Sequence, residues 1–176
     1  IFAIWTFSAQ VRPVLDYLRA TQSTEHPLET AGFDHQFSSN KPSLWPTAML
    51  HFLEAGGDDV VSDELRKSLN DNFLGTPRPD KMTHDEVVAL RKSWSGIPAL
   101  IDQHRDKLIA AHGDREFAFM RRTADDAITS LDSLAMYLEP DHKRTAEDNN
   151  LRDKRMGENL AWLARERYKN RKIIVW

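Results

Sequence analysis

The stretch that decides the fold is RERYKNRKIIVW, residues 165–176. Ile173, Ile174, Val175 and Trp176 follow a basic turn, and β-branched and aromatic residues in a row read as a strand entering a core. Four apolar residues in succession suit a parallel strand covered on both faces. Chain ends are ordinarily polar and frayed, so this ending predicts a buried strand cut just after it begins. The opening IFAIW, residues 1–5, has no initiator Met and is again apolar. The expectation is therefore an internal piece of a larger domain.

Working inward, helical periodicity dominates. Val11, Val14, Leu15 and Leu18 recur at helical spacing from Ser8 to about Thr21, with Pro13 suited to a first turn. HPLETAGFDHQF, residues 26–37, breaks that pattern and predicts a short strand near 27–32 running into a loop. Residues 43–55 predict a helix burying Trp45, Met49, Phe52 and Leu53, ended by Gly56-Gly57. A helix over Ser62 to Asn72 follows, carried by Leu65, Leu69 and Phe73, and then the linker LGTPRPDKM at 74–82.

Thr83 and Glu86 have capping-box spacing, in which side chain and backbone exchange hydrogen bonds at a helix start. The helix they open carries Val87, Val88, Leu90 and Trp94. Further helices are predicted over 98–112 and 115–138, the latter with Phe117, Met120, Ala124, Ile128, Leu131, Ala135 and Leu138 on one face. EPDHKRTAEDNN, residues 139–150, is polar and reads as a mobile connection. Asn149 or Asn150 is expected to cap a last helix reaching about Tyr168, with Met156, Leu160 and Leu163 facing inward.

The predicted fold class is α/β: a mostly helical segment with few short strands, as in a parallel sheet with a helical insertion around 43–145. Composition agrees with a globular chain, 40% hydrophobic and 29% charged over 176 residues. A net charge of −3 gives no electrostatic reason to expect nucleic acid or an anionic membrane as partner. No run approaches the roughly 20 apolar residues of a membrane helix. The absence of Cys excludes disulfides, thiolate metal sites and a Cys nucleophile, and is compatible with the cytoplasm, the expected location.

Candidate chemistry is sparse. The seven histidines, at 26, 35, 51, 84, 104, 112 and 142, form no i, i+4 pair and no HExxH, so neither a metal nor another cofactor is expected. There is no GxSxG, P-loop or GxGxxG. Asp58-Asp59 and Asp125-Asp126 point to different helix faces and read as solvated charges. Asp34 and Gln36 would lie just beyond the end of a strand, where open α/β sheets bind ligands, although by spacing alone an Asx turn is the simpler account of Asp34. Arg152, with Met156 and Asn159, shares one side of the last helix, and Asp153 lies beside it. The plain alternative there is a basic, solvated first turn.

RPVLDYLRATQSTEHPLETAGFDHQF (12–37) and NLRDKRMGENLAWLARERYKNRKIIVW (150–176) resemble, in that order and at that separation, the erythromycin esterase-like hydrolases. That family includes macrolide esterases and proteins linked to succinoglycan biosynthesis. The PLE-AGFD-Q and RD-M-NL-WL elements are specific as a pair. Thr30, His35 and Gly157 depart from the family pattern, and Gly157 costs a helix about 1 kcal/mol relative to Ala.

The resemblance implies a metal-independent hydrolase in which a histidine activates water against an ester carbonyl, a macrolactone being one candidate substrate. It implies that residues 1–176 form a partial domain, with the catalytic histidine and glutamate outside it. The partners expected are a small-molecule ester and the remainder of the domain. Asp34, Gln36, Arg152, Asp153 and Asn159 are then walls of the substrate pocket, with Arg152 suited to a developing oxyanion. The alternative of a different class is a non-catalytic helical interaction module, complete in itself.

Overall fold

The computed structural model describes residues 9–34, 45–71, 82–143 and 145–175. The apolar reading of residues 1–5, Phe73, most of the 74–82 linker and the site candidate Gln36 lie outside them. The chain divides into two units, Ile1–Gly32 and Phe33–Trp176.

In the first unit, α1 spans Arg12–Thr21, with proline in its first turn. The strand expected at 27–32 does not form. The Leu28 N–H donates instead to Thr21 Oγ1 (3.2 Å), and Gln22 Nε2 donates to the Leu28 carbonyl (2.9 Å). Side chains at the end of α1 therefore take both main-chain groups that a strand would offer to a neighbour.

The second unit is built from α2 (Trp45–Glu54), α3 (Asp63–Asp71), α4 (His84–Trp94), α5 (Ile97–Gln103), α6 (Arg105–His112), α7 (Asp114–Leu138) and α8 (Ala146–Trp162). A π-helical turn, Leu163–Arg167, follows α8. The long α7 is the spine, lying against α4, α5 and α6, while α2 packs on α3 and α6. Met49 and Leu53 of α2, Val87 and Trp94 of α4, Ile97 and Ile101 of α5, Leu108 of α6, and Phe117, Ala124 and Ala127 of α7 close one buried core. Burying such side chains contributes about 1.5–3 kcal/mol each.

Several boundaries follow from local chemistry. Thr83 and Glu86 form the expected capping box, Thr83 N–H to Glu86 Oε2 being 2.7 Å. The single helix expected over 98–112 is instead two, broken at His104. Gly113 takes φ 81°, a left-handed angle that glycine adopts without strain, and the chain turns there into α7. Val88, expected inside, is 44% exposed.

The α/β expectation is overturned. Among the described residues there is no β-strand, so the unit is helical rather than a parallel sheet with a helical excursion. Lys172–Val175 form no regular element, and Ile174 is 84% exposed. β-Branched side chains favour a strand only where a sheet surface receives them, and the described residues offer none. No described helix is long and apolar enough to cross a membrane.

Candidate functional site

α8 begins earlier than the sequence suggested. Thr145, not Asn149 or Asn150, is its N-cap, and Asp148 Oδ2 accepts the Thr145 N–H at 2.7 Å. The same oxygen lies 3.1 Å from His142 Nε2, so His142 and Thr145 are both tied to Asp148 in what the sequence suggested was a loose polar connection. These hydrogen bonds, the one from Thr145 first, hold the Asp148 carboxyl below its ordinary range. Arg152 consequently lies in the second turn of α8 and not in a first turn.

From that start, Asp148, Arg152, Arg155 and Asn159 recur at i, i+4, i+7 and i+11 and share one helix face. Met156 and Leu160 of the expected inner face are only half-buried, whereas Asn159 is 4% exposed. α8 thus turns a polar stripe inward. The stripe meets α7, which runs antiparallel to it, mostly through long side chains.

Asn159 is the hub. Its Nδ2 donates to the Phe33 carbonyl (3.1 Å) and to Asp126 Oδ2 (2.9 Å), and its Oδ1 accepts from Arg122 Nε (2.7 Å). Asp126 also accepts from Arg155 Nε at 2.6 Å. One turn toward the N-terminus of α8, Arg152 grips Asp34 with two nitrogens, Nη2 to Oδ2 and Nε to Oδ1 (3.4 Å). The bonds to Asp34 raise the Arg152 pKa above its usual value against the opposing effect of burial. Beyond α8, Arg167 lies 4.3 Å from the centre of the Phe119 ring and donates to the Arg115 carbonyl, fastening the far end of the helix pair.

Three of the five residues singled out from sequence therefore meet: Asp34, Arg152 and Asn159. Asp153 is exposed and makes none of these contacts. Gln36 falls outside the described residues. Asp126, expected to be solvated, is instead paired with Arg155 and Asn159, its side chain 16% exposed. Arg122 and Arg155 were not singled out either. Their partners lie tens of residues away, and the only sequence signal was the i, i+3, i+7 spacing of Arg152, Arg155 and Asn159.

Arg122 is a strained cation. Burial first, and then the charge of Arg155, lower its pKa below the usual guanidinium value. Asn159, a neutral acceptor, is what it bonds. Chemically the cluster offers guanidinium donors in fixed orientation, suited to a carboxylate or an oxyanion. Among the described residues no group of three or more His, Asp or Glu could hold a metal ion.

The second unit also has a cleft of about 680 Å3 between Asp58–Leu65 and the start of α5. Val60, Val61 and Ile97 form its buried floor, and Asp58, Asp63 and His104 its margin. None of the residues selected from sequence lines it. Asp59 at its edge is engaged by Lys107 at 2.7 Å.

The family model described as erythromycin esterase matches residues 1–176, the whole chain. No curated protein and no solved structure gives a match.

Proposed function

Because the chain belongs to the erythromycin esterase family, a membership that points to a hydrolase, we propose that it serves in cleaving a carboxylic ester, a macrolactone being one candidate substrate. In this reading a histidine activates water, the water attacks the ester carbonyl, and a tetrahedral oxyanion develops. We assign the water-activating histidine and its glutamate to sequence outside residues 1–176, as in the resemblance. The reading gives this chain the wall of the site: Arg152 as donor to the oxyanion, Asp34 as the residue that orients it, and Asn159 as the anchor of the segment bearing Asp34.

One observation carries this assignment. Arg152 is gripped by Asp34 from 118 residues away, yet 36% of its side chain remains exposed. A guanidinium held on one edge and open on another is pre-oriented, which is what electrostatic stabilisation of a transition state requires. As a purely structural ion pair, so exposed a contact contributes at most about 1 kcal/mol.

The test is Arg152→Ala in the intact protein, assayed with p-nitrophenyl esters and macrolides, with Lys154→Ala as control. The expected result is a loss of kcat/KM of tenfold or more, about 1.4 kcal/mol of transition-state stabilisation, with little change in melting temperature. Equal, small effects at Arg152 and Lys154 would return Arg152 to a surface ion pair.

A further inference from the structure

At the α7–α8 seam, guanidinium N–H groups of Arg122 and Arg155 remain that no described acceptor engages. Asp126 is committed to Arg155 Nε and Asn159 Nδ2. Glu158 meets Arg155 Nη1 only at 3.4 Å. Arg155 Nη2 is buried and has no acceptor among the described residues. Arg122 uses Nε on Asn159, and its two terminal nitrogens donate to none of the described residues. Asp125, Asp126 and Glu158 act on Arg122 through space only. Of the two guanidiniums only Arg155 bonds a carboxylate closely, and Arg122 lies 5.5 Å from the centre of the Trp162 ring.

The geometry points to an anion-binding site formed by Arg122 and Arg155 beside Trp162, taking the carboxylate of a small apolar or aromatic acid. A buried N–H without an acceptor costs free energy, and so does crowding two cations; one anionic oxygen pair between them relieves both. Asp126 and Glu158 already balance the charge of the two guanidiniums, so a monoanion is accommodated at less cost than a phosphate dianion. The indole face supplies the apolar contact that inorganic phosphate does not use. The site is distinct from the pair Asp34–Arg152 and does not depend on the ester-hydrolase reading.

Calorimetric titration of the intact protein with benzoate tests it, with inorganic phosphate as the second arm. Benzoate is expected to bind saturably, and Arg122→Gln and Arg122→Lys to weaken it tenfold or more. The Lys variant keeps the charge but loses the planar fork, so it separates geometry from charge. Melting temperatures of both variants check that the fold is kept. Arg105→Gln, which removes a cation lying over Phe117, is expected to bind as the parent does. No saturable benzoate binding, binding unchanged in both Arg122 variants, or phosphate binding as tightly as benzoate would each overturn the assignment. Binding needs no turnover, so an inactive but benzoate-binding protein would count against the hydrolase reading alone.

Discussion

Replacing Asn159 by Leu keeps the approximate shape of the side chain and removes its amide. Three groups lose their partner: the Phe33 carbonyl, Asp126 Oδ2 and Arg122 Nε. A buried group left unpaired costs about 1–3 kcal/mol. Asp126 keeps Arg155, and half-buried Arg122 and Phe33 can turn to water, so a fraction of the penalty applies at each of the three. Burying the added apolar surface returns about 1 kcal/mol. The net expectation is a loss of about 1–2 kcal/mol, or roughly 2–8 °C in Tm for a unit of this size. Thermal and urea melts followed by circular dichroism measure it, with exposed Asn150→Ala as the control, expected within about 0.5 kcal/mol. Hydrogen exchange should also quicken at residues 33–34, where Asn159 holds the main chain. A loss under about 0.5 kcal/mol would mean that the network is not holding these segments together.

Three other perturbations separate features of the structure. The Asp148 carboxyl has a folded-state pKa below its ordinary 3.8, so its contribution to stability is present above that value and is lost as pH falls through the lowered one. Asp148→Asn should flatten the acid limb of Tm against pH, and an unchanged slope would refute the role of the cap. Ile174→Ser should alter stability by less than about 0.5 kcal/mol because Ile174 is exposed; a loss of about 2–5 kcal/mol would reinstate the buried strand. Gly157→Ala should stabilise α8 by about 0.5–1 kcal/mol, since an added Cβ at this helical position meets nothing within 4 Å. A lower Tm would mean that the glycine is needed for close approach.

The polar inner face of α8 bears on function as well as on stability. A helix that packs through Leu and Met slides and repacks at small cost, whereas one held by directional, charge-assisted hydrogen bonds has a single register. Asp148 engages His142, Arg152 engages Asp34, and Arg155 and Asn159 share Asp126, so displacement of α8 by one turn would break these contacts together. Such a device holds Arg152 in one place, as its proposed role requires.

Sequence by itself determined the elements whose signals are local. The capping box at Thr83 and Glu86, and the apolar stripe of α7 from Phe117 to Leu138, were legible because helix hydrogen bonds close within four residues. The family was legible in two motifs, and with it the interest of Asp34, Arg152 and Asn159. Tertiary structure alone decided the rest. Whether Ile173–Val175 form a strand depends on a neighbouring strand to pair with, which periodicity cannot supply, and the described residues contain none. The same holds for charge: Asp126 read as solvated until Arg155, 29 residues away, was brought to 2.6 Å. Pairings over such distances are set by how whole helices pack, and the linear order of residues does not contain them.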